Sequence, residues 1–138
     1  MDGNIWFETD TNDYDFNLRT CDDNGPCIAG WNQDLDSEDY GEYRVQRKTD
    51  PDRVVIEWIT ETYDDNDDGL DVLNNFEIIL YKNGEIRVNY NYFNCAICRD
   101  SSSGVSKGVP NGSVYTSLTE KFGPVPGLGQ TSYIFTCP

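Results

Sequence analysis

The sequence predicts an all-β protein, an antiparallel β-sandwich of about eight or nine strands. Three observations predict it. Helical periodicity is almost absent, β-type runs recur at the roughly 8–12-residue spacing of sandwiches and barrels, and Asn83-Gly84 stands between two β-rich runs as a hairpin turn. The 138 residues have the length of one domain with its own core, so 1–138 is read as a single domain.

The elements follow in order. "NIWFET" (4–9) alternates Ile5 and Phe7 against Trp6 and Glu8, and "CIAGWNQDL" (27–35) is a second strand. "GEYRVQRK" (41–48) and "RVVIEWITETY" (53–63) flank the polar turn "TDPD" and form a hairpin. In the longer strand Val54, Ile56 and Trp58 alternate with Val55, Glu57 and Ile59, and the side with Trp58 is the better core face. "NNFEIILYKNGEIRVNYNYF" (74–93) is the clearest hairpin. Three short strands, 102–107, 113–118 and 131–136, close the chain between Gly- and Pro-rich turns such as "GPVPGLG".

Charge excludes some partners. The formal net charge is −15, which disfavours nucleic acid and anionic lipid. Residues 1–75 hold 21 of the 25 acids and 5 of the 10 bases, so they carry −16, and the remainder carries +1. No apolar run reaches the length of a membrane span, so membrane insertion is not expected. The opening "MDGNIWF" lacks the pattern of a signal peptide, and the chain is expected to begin inside a longer or processed product. Five cysteines without a histidine point to an oxidising, extracellular or cell-surface setting.

Several pieces then fall into a family order. "DGNIWFET", "IAGWNQDLD", "DRVVIEWITETY", "NNFEIILYKNGEIRVNY", "SSGVSKG" and "TSYIFT" together resemble the nidogen-like (NIDO-type) domain and its bacterial and archaeal cell-surface relatives. Gly3 to Phe7, Trp31 to Asp36, Val55 to Trp58 and Phe76 to Tyr90 occupy the places of that family's strand motifs. Ala29-Gly30 replaces the usual proline-phenylalanine before the tryptophan, and the family's first one or two strands are missing, either trimmed or supplied by another chain. The resemblance implies a non-catalytic module of matrix, adhesion and surface proteins, with no shared active site. Its partners would be other extracellular proteins, identical subunits or glycans.

Function must then come from the chain's own loops. In "YDDNDDGLDV", Asp64, Asn66 and Asp68 before Gly69 match the start of a calcium loop, with Asp71 as a further oxygen donor. An EF-hand is excluded because its twelfth position is Asn75 and strands flank the run. A looser Ca2+ site and a solvated loop both remain. "DLDSED", with Asp34, Asp36, Glu38 and Asp39, is a second acidic cluster that would reinforce the first if the two loops met.

Cys21, Cys27, Cys95 and Cys98 lie in the spacings C-x5-C and C-x2-C, which suit either two local disulfides or a four-thiolate zinc site. An extracellular setting favours disulfides, and Cys137 is then the odd cysteine, expected to pair outside the domain. Asn111-Gly112-Ser113 is a glycosylation sequon. Tyr40, Tyr43, Tyr90 and Tyr92, with Trp6, are candidates for an exposed ligand-binding strip in a calcium-dependent carbohydrate-binding module, or else pack at a sheet edge.

Catalysis is not expected. Without histidine there is no Ser-His-Asp or Cys-His arrangement, and "GLGQ" lacks the setting of a dinucleotide loop. A carboxylate pair of the glycosidase kind would be the one chemistry left, and the sequence singles out no pair.

Overall fold

The computed structural model of the protein describes residues 3–7, 18, 25–36, 41–63, 73–93, 101–108, 114–121 and 131–136. The chain is all-β, with two antiparallel sheets of four and six strands, consistent with a β-sandwich of about ten strands. Its strands are β1 (Gly3–Trp6), β2 (Cys27–Asn32), β3 (Leu35–Asp36), β4 (Glu42–Thr49), β5 (Asp52–Thr62), β6 (Asn74–Tyr81), β7 (Ile86–Tyr92), β8 (Ser101–Ser106), β9 (Tyr115–Lys121) and β10 (Thr131–Phe135). The tenth strand arises because the run 27–35, expected to be continuous, breaks at Gln33-Asp34. Two compact units form, one from Met1–Leu35 and Ile97–Val125, the other from Asp36–Ala96 and Pro126–Pro138.

In the first unit the strand order is β1-β2-β8-β9. Every position of β2 is buried, and three of its four register partners on β8 are small: Ser102, Gly104 and Ser106. Ser103, itself fully buried, sends its hydroxyl to the carbonyls of Ala29 and Gly30, where the register of β2 slips. The hydroxyl thus serves two carbonyls where the ladder is interrupted. Next to it Gly104 has a φ of +151°, and a Cβ there would collide with the Thr116 carbonyl oxygen and meet Leu18 Cδ2 at 2.9 Å. Only glycine fits. Leu18, Cys27 and Ala29 form a small apolar cluster, with Trp6 and Tyr115 packed against it.

The second sheet has the order β10-β7-β6-β5-β3, with β4 also on β5. Both predicted hairpins form. β4 and β5 pair from Glu42↔Ile59 to Thr49↔Asp52 and turn through Asp50-Pro51, a cis peptide. β6 and β7 turn through Lys82, Asn83 and Gly84. Gly84 N donates to Tyr81 O at 3.0 Å and Tyr81 N to Glu85 O at 2.9 Å, and Gly84 takes φ +88°. That is the three-residue hairpin with glycine in the left-handed position.

Register makes the two faces of this sheet chemically different. Tyr43, Trp58, Phe76 and Tyr90 stand opposite one another across β4, β5, β6 and β7. Trp58 stacks on Phe76 at 5.0 Å, Tyr43 meets Trp58 edge-on at 6.4 Å, and Tyr90 contacts Phe93 at 5.5 Å and Tyr133 at 6.1 Å. Trp58 is 2 % exposed, so the face chosen by alternation is the core face. Each such ring pair adds about 0.5–1.5 kcal/mol beyond its burial.

Candidate functional site

The opposite face of the second sheet is where the described polar chemistry concentrates. Arg44, Glu57, Glu77, Asn89 and Ser132 form one row across five strands. Two carboxylates thus lie directly opposite each other, a repulsive pairing unless neighbours neutralise it. Neighbours do. Glu57 takes one hydrogen bond from Asn75 Nδ2 at 3.1 Å and pairs with Arg44 at 3.4 Å, and Glu77 accepts Asn89 Nδ2 at 2.6 Å. Asn75 also donates to Trp58 O at 3.1 Å and accepts from Asn91 Nδ2 at 3.0 Å. Ser132 donates to Asn89.

Arg44 carries a second carboxylate, Glu42, whose short hydrogen bond raises the guanidinium above its ordinary range, with Glu57 adding to the effect. Two rows further along, Lys48 stands opposite Arg53, and Arg53 opposite Tyr81. Between these rows lies a shallow concavity of about 280 Å³, with Arg44, Gln46, Lys48 and Arg53 at its sides and Val55 and Ile79 beneath. A second concavity of about 600 Å³ opens at the hairpin ends, against Pro51, Tyr81, Lys82 and Asn83. There Asp52 pairs with Arg47 at 3.5 Å and Lys82 at 3.7 Å, and Arg87 pairs with Glu85 at 3.2 Å while lying over the Tyr81 ring.

The first unit has a smaller polar centre. Asn4 Nδ2 donates to Asn32 Oδ1 at 2.7 Å, with both residues buried. The side-chain oxygens of Asn4 and Gln33 are buried without a hydrogen-bond partner among the described residues.

The sequence-predicted sites fare unevenly. Asp64, Asn66, Asp68 and Asp71 lie outside the described residues. β5 and β6, which their run joins, are antiparallel neighbours paired as far as Thr60↔Asn74. Of the second acidic cluster, Asp34 and Asp36 are described and half-buried, and Glu38 and Asp39 are not described. Among the described residues no three acidic, cysteine or histidine side chains gather as a metal site.

Cys27 is disulfide-bonded. Cys21, Cys95, Cys98 and Cys137 lie outside the described residues, as does Asn111, so the pairing and the sequon are not described either. The aromatic strip is not assembled as expected. Tyr90 is 2 % exposed, locked among Phe76, Phe93 and Tyr133. Tyr43 and Tyr92 are half-buried, Trp6 packs within the first unit, and Tyr40 is outside the described residues. The physical reason is register: the hairpin turn pairs Tyr90 with Phe76 in the core row, and the shift between Asn75 and Phe76 inserts Asn91 and sets Tyr92 opposite Asn75, out of the row of Tyr90.

Sequence reasoning missed the polar row. Its signal was present in part, in the alternation that set Glu57 against Trp58 and in the two hairpin turns that align Arg44 with Glu57 and Glu77 with Asn89; the step from Glu57 to Glu77 depends on the β5–β6 register, which no turn signal specifies. Against protein-family models, curated proteins and solved structures, the chain finds no match.

Proposed function

We propose that this chain is a non-catalytic extracellular module of nidogen-like type, serving adhesion or structure within a larger surface or matrix protein or filament. The observation that carries this reading is the polar row. Both carboxylates that the sheet places side by side are engaged by Arg44, Asn75 and Asn89, an arrangement suited to a rigid contact platform more than to proton transfer. The bonded Cys27 supports an oxidising compartment, and the ordered strand motifs support the family.

Adhesion is tested with beads coated densely with the purified module, because multivalency amplifies weak contacts. The expected result is attachment to one another or to layers of matrix protein, above that of blocked beads. Absence of attachment to every surface would overturn the reading. Calcium on Asp64, Asn66, Asp68 and Asp71 belongs to the same proposal. A melt in millimolar calcium should rise several degrees over one in EDTA, with magnesium giving less, since a ligand of the folded state stabilises it. Identical melts would remove calcium from the account.

One observation favours a second reading, a self-assembling subunit. β4 pairs only with β5 among the described residues, and all its positions except Tyr43 are exposed, including Val45 at 70 %. Such an edge accepts an added strand, although its Arg44, Arg47 and Lys48 discourage indiscriminate pairing. Sedimentation at high concentration separates the readings: growing oligomers that Val45→Lys abolishes favour the subunit, and a monomer at every concentration eliminates it.

A further inference from the structure

Six cations lie between β4 and β7, and four of them have a carboxylate partner: Arg44 with Glu42 and Glu57, Arg47 and Lys82 with Asp52, and Arg87 with Glu85. The two without one among the described residues, Lys48 and Arg53, are directly opposite each other in the β4–β5 ladder and on the same face. A like-charged pair at facing positions works against the hairpin. It stands in a chain with 25 acids and 10 bases, where unpaired cations are the scarcer kind of charge. Arg53 is also held in place, its guanidinium Nη1 donating to Pro51 O at 2.8 Å. Both residues border the concavity of about 280 Å³, whose floor is Val55 and Ile79. Two carboxylates, Glu57 and Glu77, also line the concavity, two rows away from the pair; Glu57 is ion-paired with Arg44, Glu77 accepts Asn89 Nδ2, and among the described residues neither forms an ion pair with Lys48 or Arg53.

We infer that Lys48 and Arg53 jointly hold an oxyanion group, a sulfate or a carboxylate, at the mouth of this concavity. Lys48 supplies a mobile ammonium and Arg53 a planar fork of donors, which together match a tetrahedral or planar oxyanion. An anion between them turns the repulsion within the hairpin into two attractions. The carboxylate could be borne by an acidic run of a second copy of this chain, and the sulfate could be free in solution; both present the same chemistry to the pair. This inference stands apart from the adhesive reading, since it concerns one pair of cations and is read without any adhesion assay.

The test is an NMR titration of the oxidised protein with sodium sulfate, against sodium chloride at matched ionic strength. Saturable shifts of the Lys48 and Arg53 amides in sulfate are expected, with affinity at least tenfold weaker in Lys48→Gln/Arg53→Gln. Arg47→Gln, at a cation already paired with Asp52, should leave the affinity within twofold. Shifts that fail to saturate, that chloride reproduces, or that survive the double substitution would overturn the inference. Sedimentation at low salt then separates the sources. Self-association that sulfate disperses and the double substitution abolishes assigns the oxyanion to a second copy, and a monomer with saturable sulfate binding assigns it to a free anion.

Discussion

The four-stranded and the six-stranded sheets are held by different means. In the first, β2 is buried at every position and backbones approach closely, with Ser103 and Gly104 filling the little space between strands. In the second, bulky rings run in a row from β4 to β7 on one face while a hydrogen-bonded polar row crosses the other. The first sheet is therefore intolerant of added atoms and the second of removed ones. The second alone, among the described residues, presents a charged face organised across several strands.

Substitutions in each sheet test that contrast. Phe76→Ala should have the largest effect, about 3–5 kcal/mol in urea unfolding, because it removes the ring that touches Trp58, Tyr90 and Phe93 together. A loss below about 1 kcal/mol would mean the aromatic row is not the core of its sheet. Gly104→Ala should cost about 2–4 kcal/mol by the same measurement, through its collision with Thr116 and its unfavourable φ. A neutral result would show that the first sheet yields to an added methyl, and the contrast would fall.

Asn75→Ala comes next, at about 1–3 kcal/mol, since it strips hydrogen bonds from Glu57, the Trp58 carbonyl and Asn91 at once. Its effect should exceed that of Asn91→Ala, which removes only one of these bonds. Smallest is Lys48→Gln. Relieving the repulsion with Arg53 should stabilise the hairpin by about 0.2–1 kcal/mol at low salt, and added chloride should shrink the gain. Destabilisation would mean Lys48 contributes packing that outweighs its charge.

Local chemistry explains which parts of this fold were legible in the sequence. Asn83-Gly84 and Asp50-Pro51 mark turns because backbone preference acts within a few residues, and alternation along β5 picked out the Trp58 face for the same reason. The neighbours of β2 were not legible: β8 pairs with it from 70 or more residues away, and nothing local in "SSGVSK" names that partner. The break at Gln33-Asp34 also escaped a reading by apolar content, since Leu35 resumes the strand character immediately. The site was legible only in part. Residue types suggested tyrosines and loop aspartates. The Lys48–Arg53 pair follows from the one β4–β5 turn, whereas the polar row depends on register across five strands, which no single turn specifies.

The central claim is that the polar face of the second sheet serves contact and not catalysis. The most direct test places the purified protein with a panel of glycoside and ester substrates alongside the bead assay, comparing wild type with Glu57→Gln and Glu77→Gln. The account predicts attachment without turnover in all three proteins. Turnover that either substitution abolishes while the melting temperature stays unchanged would contradict it.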